Sequence, residues 1–482
     1  MWGQDVRSAH VLPILYPVFL PVLLLLGFLG CNKNDVDMPA VLPVQNWVTS
    51  ADGVNLFYQK AFDFAPAKDD QYPVIEINPA QTFQTVEGFG FSLTGGSAML
   101  LHQMGATERA TLLNEFFGNA DNSIQVSYLR ISIGASDLDP VVFSYDDLPN
   151  GVTEDPTLQY FNLSRDTLHL IPILKEILAI NPNIKIMGSP WSAPTWMKNN
   201  KNSVGGNLLT PYYSAYAQYF VKYIQAMKSN GINIDAITPQ NEPQHGGNNP
   251  SMVLSAINER DFVRDHLGPA FQAAGINTKI IVWDHNCDNP GYPIEILNDA
   301  AAKSFVHGSA FHLYAGDVSA LSQVHDTHPD KALYFTEQWT GSNEAFGDNL
   351  KWHMKNVIIG TMRNWSQVAL EWNLANDPSF NPHTPGGCNQ CKGAVTINGN
   401  VATKNVSYYI IGQAAKFVPP GSVRVGSNVP GTLHNVAFTT PQGKTVLIVL
   451  NDGSNLENFN IHIGDKWITA SLHPETAGTF VW

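Results

Sequence analysis

Glu242 and Glu337 have the types and settings that paired acid–base and nucleophilic chemistry needs. Glu242 lies in Thr238-Pro-Gln-Asn-Glu-Pro-Gln244, and Glu337 lies in Leu333-Tyr-Phe-Thr-Glu-Gln-Trp339. Each follows a short apolar run, residues 234–237 and 332–335, that reads as a buried strand opening into a loop. Two carboxyls at the ends of separate strands are the minimum equipment for splitting a glycosidic bond, one giving a proton and the other attacking as nucleophile. A lone glutamate at a strand end is most often a solvated loop residue. Asn-Glu-Pro after a strand is a tripeptide that few structural needs select, and the pair together weighs towards chemistry.

The elements that must position these residues recur along the chain. Strand-like runs at 85–92, 126–134, 184–189, 236–238, 279–283, 309–314, 332–336 and 367–372 make eight. Between them lie segments with helical spacing, such as Leu168, Ile171, Leu174, Ile177 and Leu178, and Tyr216, Phe220, Tyr223, Ile224 and Met227. Strand and helix alternating eight times imply an α/β fold, a (β/α)8 barrel whose chemistry sits at the C-terminal ends of the strands. Glu242 and Glu337 then belong to the fourth and seventh strands. Beyond residues 417–421 the helical period stops, and short strands separated by Gly, Asn and Asp turns imply a β-sandwich. Sixty residues are thin for a sandwich, so the segment before the barrel is expected to complete it. The expected division is a leader at 1–31, a polar tether at 32–45, sandwich strands at 46–82, the barrel at 83–419 and the rest of the sandwich at 420–482.

Composition narrows the partners. The formal charge of −14 argues against nucleic acid and against binding an anionic membrane by charge. Eleven Trp and 16 Tyr in a chain only 14% charged supply a core and leave aromatic faces for the apolar side of sugar rings. Arg7, the uncharged stretch 11–30 and Phe28-Leu-Gly-Cys31 resemble an export signal ending in a bacterial lipoprotein cleavage box. The expectation is an exported protein of a bacterium, held at the cell surface or in the periplasm by a lipid on Cys31, with no other membrane contact. Cys287 stands alone. Cys388 and Cys391 form one C-x-x-C, and no second such pair or H-x-x-x-H supplies the other two ligands of a zinc site, so a small-loop disulfide is favoured over zinc. No metal and no cofactor are expected.

Several motifs together carry a resemblance. Gly88-Phe-Gly90, Thr94-Gly-Gly-Ser-Ala98, Leu129-Arg-Ile-Ser-Ile-Gly-Ala-Ser-Asp137, Ser189-Pro-Trp-Ser-Ala-Pro-Thr-Trp-Met197, Asn241-Glu-Pro243 and Trp372-Asn-Leu-Ala375 are similar to those of glycoside hydrolase family 30, the family of glucosylceramidases and microbial β-1,6-glucanases. The resemblance implies a retaining mechanism with Glu242 as acid/base and Glu337 as nucleophile. It implies that Asn241 binds the sugar 2-hydroxyl, that Asp137 and Trp191 hold sugar hydroxyls, and that Trp372 forms part of a stacking wall. His312 and Tyr314 would flank the nucleophile, and Arg130 would pair with Glu337 or anchor a barrel ion pair. The loop around Cys388 resembles β-1,6-glucanases more than animal glucosylceramidases. The expected substrate is therefore a β-glucan or β-glucoside, with β-1,6-glucan first and glucosylceramide as the alternative. A non-catalytic surface glycan-binding lipoprotein is a remote third reading, since such a protein is expected to lose one carboxylate and this chain keeps both.

Overall fold

The computed structural model describes residues 43–65 and 67–482. The expected leader, Cys31 and all but the last residues of the expected tether lie outside them. The described chain begins with β1 (Val44–Ser50), β2 (Leu56–Phe62) and β3 (Val74–Thr85), which take no part in the barrel. The barrel strands follow as β4 (Gly88–Ser92), β5 (Tyr128–Ser132), β6 (Lys185–Ser189), β7 (Ala236–Ile237), β8 (Lys279–Cys287), β9 (Val306–Gly316), β10 (Ala332–Glu337) and β11 (Ser366–Asn373). Among the described residues these eight run parallel, each beside the next in sequence, and β11 closes the ring on β4 through Val368 opposite Gly88.

Parallel strands covered on both faces are buried along their length, and β4 and β5 are buried at every position, the polar Ser92, Arg130 and Ser132 included. Tyr128, Met187, Ala236, Ile281, Ala310, Tyr334, Val368 and Leu370, from seven of the strands, pack together as one buried cluster. The glycine at position 90 has a packing cause: a Cβ there would stand 1.8 Å from the Tyr128 carbonyl oxygen on the neighbouring strand. Four of the helices matter below: α1 (Leu170–Ile180), α2 (Tyr213–Ser229), α3 (Phe346–His353) and α4 (Val406–Ala415). The apolar row expected from Leu168 starts instead at Leu170. Leu168 lies in the turn before α1 and is 56% exposed.

The tail beyond the barrel supplies β12 (Val423–Ser427), β13 (Leu433–Thr439), β14 (Thr445–Asn451), β15 (Glu457–Ile463), β16 (Lys466–Leu472) and β17 (Thr476–Val481). They join the first three in the order β2-β1-β17-β14-β13-β12-β3-β15-β16. Val44, Ile75, Val449, Phe459 and Phe480 meet in its core. Two boundaries move. β1 starts at Val44, inside the expected tether, because Val44 is fully buried and Gln45 pairs with Val481. β3 runs to Thr85, past the expected start of the barrel, because Thr85 pairs with Val423. The buried helix α4 links the two parts: Gln413 donates to Thr49 Oγ1 and accepts from Thr479 Oγ1.

Candidate active site

Glu337 is the last residue of β10, carried to the barrel mouth by the strand itself. Glu242 lies five residues beyond the end of β7 and is held by its backbone: Asn241 N–H donates to the Pro190 carbonyl, and Glu242 N–H donates to the Asp284 carbonyl. Its φ is 47°, in the left-handed region. A side chain held there costs about 1–3 kcal/mol, and such strain gathers where geometry serves function.

The two carboxyls face each other, with one oxygen of each within 4.8 Å. The fully buried Arg130 reaches both readings set for it. Its Nη1 donates to Glu337 Oε2 at 2.6 Å, and its Nη2 donates to Asp284 Oδ2 at 2.8 Å and to Asn241 Oδ1 at 2.6 Å. Tyr314 Oη donates to the other Glu337 oxygen at 2.9 Å. His312 bridges the strands, with Nδ1 3.3 Å from Glu242 Oε1 and Nε2 3.1 Å from Asp284 Oδ1. Asp284 is the hub that the sequence reading passed over. It also accepts from Ser189, Thr238 and Thr336, so hydroxyls from three other strand ends converge on one carboxylate.

A cavity of about 290 Å³ opens over this cluster. Of the residues singled out from the sequence, Glu242, Glu337, Asp137, Trp191, Tyr314 and Trp372 line it. Arg130, Asn241 and His312 lie in the layer behind, bonded to the lining carboxylates or to one another. The Asn241 carbonyl oxygen accepts from Arg130, which orients its amide group. Trp372 stacks on Trp191 at 5.2 Å and 28°, and the two residues are 4% and 2% exposed. His245, Asn248, His285, Asn286, Trp339 and two cysteines complete the lining. His285 and Asn286 lie within β8 and His245 and Asn248 in the loop after β7, and no spacing in the sequence marks them.

Cys388 and Cys391 are joined as a disulfide, and both line the cavity. The Cys388 N–H donates to Asp137 Oδ2 at 3.1 Å, and Thr384 N–H donates to the Asp137 carbonyl. The loop therefore clasps a residue of the inner pocket, not only the mouth. Burial pushes the Asp137 carboxyl up to about 7, against the Cys388 N–H and with the charges of Glu337 and Glu242 adding to the rise. Near neutral pH it can then give as well as accept a hydrogen bond.

Charge in the cluster is nearly balanced. Burial disfavours the His312 imidazolium, but Glu337, Asp284 and Glu242 overcome it and hold His312 up at about 9. Asp284 is drawn far below the usual carboxylate range, since Arg130 and His312 outweigh its burial. Burial also raises Glu337, against His312 and Arg130. Glu242 is equally buried, yet its hydrogen bond to the His312 imidazolium draws it down. Two cations thus face three carboxyls, and the glutamates titrate as a pair.

The imidazolium lowers both glutamates, which fixes the sign of a test. His312→Gln removes a positive charge, so both pKa values rise. Both limbs of the kcat/KM–pH profile are expected to move to higher pH, with turnover reduced. Limbs that stay in place or move down would contradict this electrostatic account.

Glu242, His312 and Glu337 each present one donor atom within 4.8 Å of the others. Both nitrogens of the ring face carboxylates, so the trio is part of an ion-pair cluster with Asp284. A larger cleft, about 1020 Å³, lies at the opposite end of the barrel around Lys279, Val306 and Trp365, where the strands begin and no paired carboxylates meet.

Comparisons agree with this geometry. The Glycosyl hydrolase family 30 TIM-barrel domain matches residues 86–418, and the Glycosyl hydrolase family 30 beta sandwich domain matches residues 421–480. Endo-1,6-beta-D-glucanase neg1 of Aspergillus fumigatus is 36% identical over 414 residues, 80% of this chain and 82% of that protein. Putative glucosylceramidase 4 of Caenorhabditis elegans is 30% identical over 416 residues, 81% of this chain and 79% of that protein. The solved endo-beta1,6-glucanase BT3312 superposes with a TM-score of 0.85 at 34% identity, covering 91% of this chain and 99% of that one.

Proposed function

Because the chain belongs to glycosyl hydrolase family 30, we propose that it cleaves β-1,6-linked glucan by double displacement at Glu337 and Glu242. In the first step a Glu337 oxygen attacks the anomeric carbon. Glu242 gives its proton to the departing glycosidic oxygen, leaving a glycosyl ester on Glu337. In the second step Glu242 takes a proton from water, which attacks the same carbon and frees Glu337 with the β-configuration restored. The observation that carries this reading is the spacing of the carboxyls, within 4.8 Å at their nearest oxygens. An inverting pair stands about 6.5–9.5 Å apart to admit a water. Arg130 and Tyr314 bind the Glu337 anion on both oxygens, aiming it and sharing the charge it regains when the ester is cleaved.

The linkage rests on the relatives, since β-1,6-glucanases are among the most similar proteins and the solved one covers the whole barrel and sheet. The Caenorhabditis relative supports glucosylceramide as the second reading. Incubation with β-1,6-, β-1,3- and β-1,4-glucans, followed by product sizing, separates them. Shortening of the β-1,6-glucan alone is expected. Intact β-1,6-glucan together with glucose released from glucosylceramide would establish the second reading.

Export and lipid attachment at Cys31 are part of the same proposal, supported by Arg7, the apolar stretch 11–30 and the Phe28-Leu-Gly-Cys31 box. Labelled palmitate should enter the wild-type protein expressed in a bacterium and be absent from Cys31→Ala; equal labelling of both would rule the anchor out.

A further inference from the structure

The cavity over the carboxyls does not end at its own rim. Tyr314 and Trp339 form part of a second cleft as well, about 460 Å³, that runs from the ends of β9 and β10 to the helix α3. These two rings therefore stand between the two cavities. At the far side stands Trp352, 38% exposed.

A large aromatic side chain left open to water loses the stabilisation that burial gives its kind, and Trp352 is held open by its neighbours. Lys351 is paired with Glu475 of the sheet at 2.6 Å, and His353 is pinned to Glu371 of β11 at 2.7 Å. The His353 ring meets Trp352 at 5.0 Å and 68°, an edge contact that does not cover the indole by stacking. Asp348 and Glu344 line the same cleft and offer acceptors for hydroxyl groups. A rigidly mounted indole with carboxylates beside it is the chemistry that recognises a sugar ring, apolar on one face and rich in hydroxyls at its edge.

Trp191, Trp372, Asp137 and the disulfide wall the inner cavity, and Trp339 packs against that wall while also lining the second cleft. We propose that this cleft is a remote subsite for further glucose units of the chain, with Trp352 as its stacking platform. The proposal rests on the glucan reading above and adds where the polymer lies.

Trp352→Ala tests it on the full-length enzyme, with circular dichroism and melting as fold controls. An aryl β-glucoside does not reach the second cleft, and its kcat/KM should match wild type. KM for β-1,6-glucan should rise about 2- to 10-fold, the scale of one aromatic stacking contact. Over a series of β-1,6-gluco-oligosaccharides, the gain in kcat/KM with length should flatten in the variant and return in Trp352→Phe. An unchanged KM for the polymer, or an equal fall with the aryl glucoside, overturns the subsite while leaving the proposed activity standing. Wild-type enzyme that leaves β-1,6-glucan intact overturns both. A Trp352→Ala loss seen only with glucosylceramide would assign the cleft to a lipid tail and overturn the glucan subsite.

Discussion

Replacing Glu337 with glutamine is expected to lower turnover of every glycoside by about 10⁴-fold or more, the scale seen when a nucleophile is removed from a set of groups that act together. The amide has the shape of the carboxyl but cannot attack the anomeric carbon. The fold should survive, because Arg130 keeps its pair with Asp284 and its bond to Asn241, so no buried charge is left alone. Steady-state rates, with melting temperature as the control, decide it. A folded Glu337→Gln protein with a tenth of wild-type activity would remove Glu337 from the nucleophile's role.

Glu242→Ala should behave differently, and the difference is diagnostic. Loss of a general acid costs about 10²–10⁴-fold where the leaving group needs a proton. Polysaccharide and alkyl glucosides should fall by that amount. An activated aryl glucoside leaves without help, so its first step should persist, and the glycosyl ester on Glu337 should accumulate because no base remains to activate water. Azide fits the space vacated by the side chain and needs no base. Added azide should therefore restore turnover and give a β-glycosyl azide, from two inversions at the same carbon. An α-azide would mean that the removed group was the nucleophile and that the two roles are exchanged.

The frame of this site was legible because it depends on local order. An apolar run followed by a polar residue at a strand end marks Glu337 in β10 and, five residues past β7, Glu242, and eight such runs alternating with helices leave little choice but a barrel. The glycone wall was partly legible, since Asp137, Trp191 and Trp372 carry motifs. Asp284 shows where such reading stops. It follows Val282-Trp283 in the same way that Glu337 follows Tyr334-Phe335-Thr336, yet nothing local says that Arg130, Ser189, Thr238, His312 and Thr336 will all turn towards it. Those contacts join β5, β6, β9, β10 and the loop after β7, and they exist only once the ring is closed. The position of Trp352 was hidden for a similar reason, because the ion pairs that hold its helix reach to Glu371 and Glu475. Among the tail strands β17 is faint in the sequence, because Thr476-Ala-Gly-Thr479 offers little apolar alternation.

The sheet beside the barrel has a history as well as a shape. Gln45 is paired with Val481, and β3 lies between β12 and β15. Of these strands β1 can pair with β2 at once, but its other neighbour, β17, is made only after the barrel and most of the sheet. Contacts so distant along the chain are slow to form, because the loop they close must be ordered before the pairing rewards it. Meanwhile β1 and β3 present unpaired edges, which invite pairing with other nascent molecules. Synthesis of this enzyme therefore carries a waiting period in which holding the amino-terminal strands apart matters more than folding them. A chain that stops short of Thr476 never leaves that period, since β1 lacks one of its two neighbours for good.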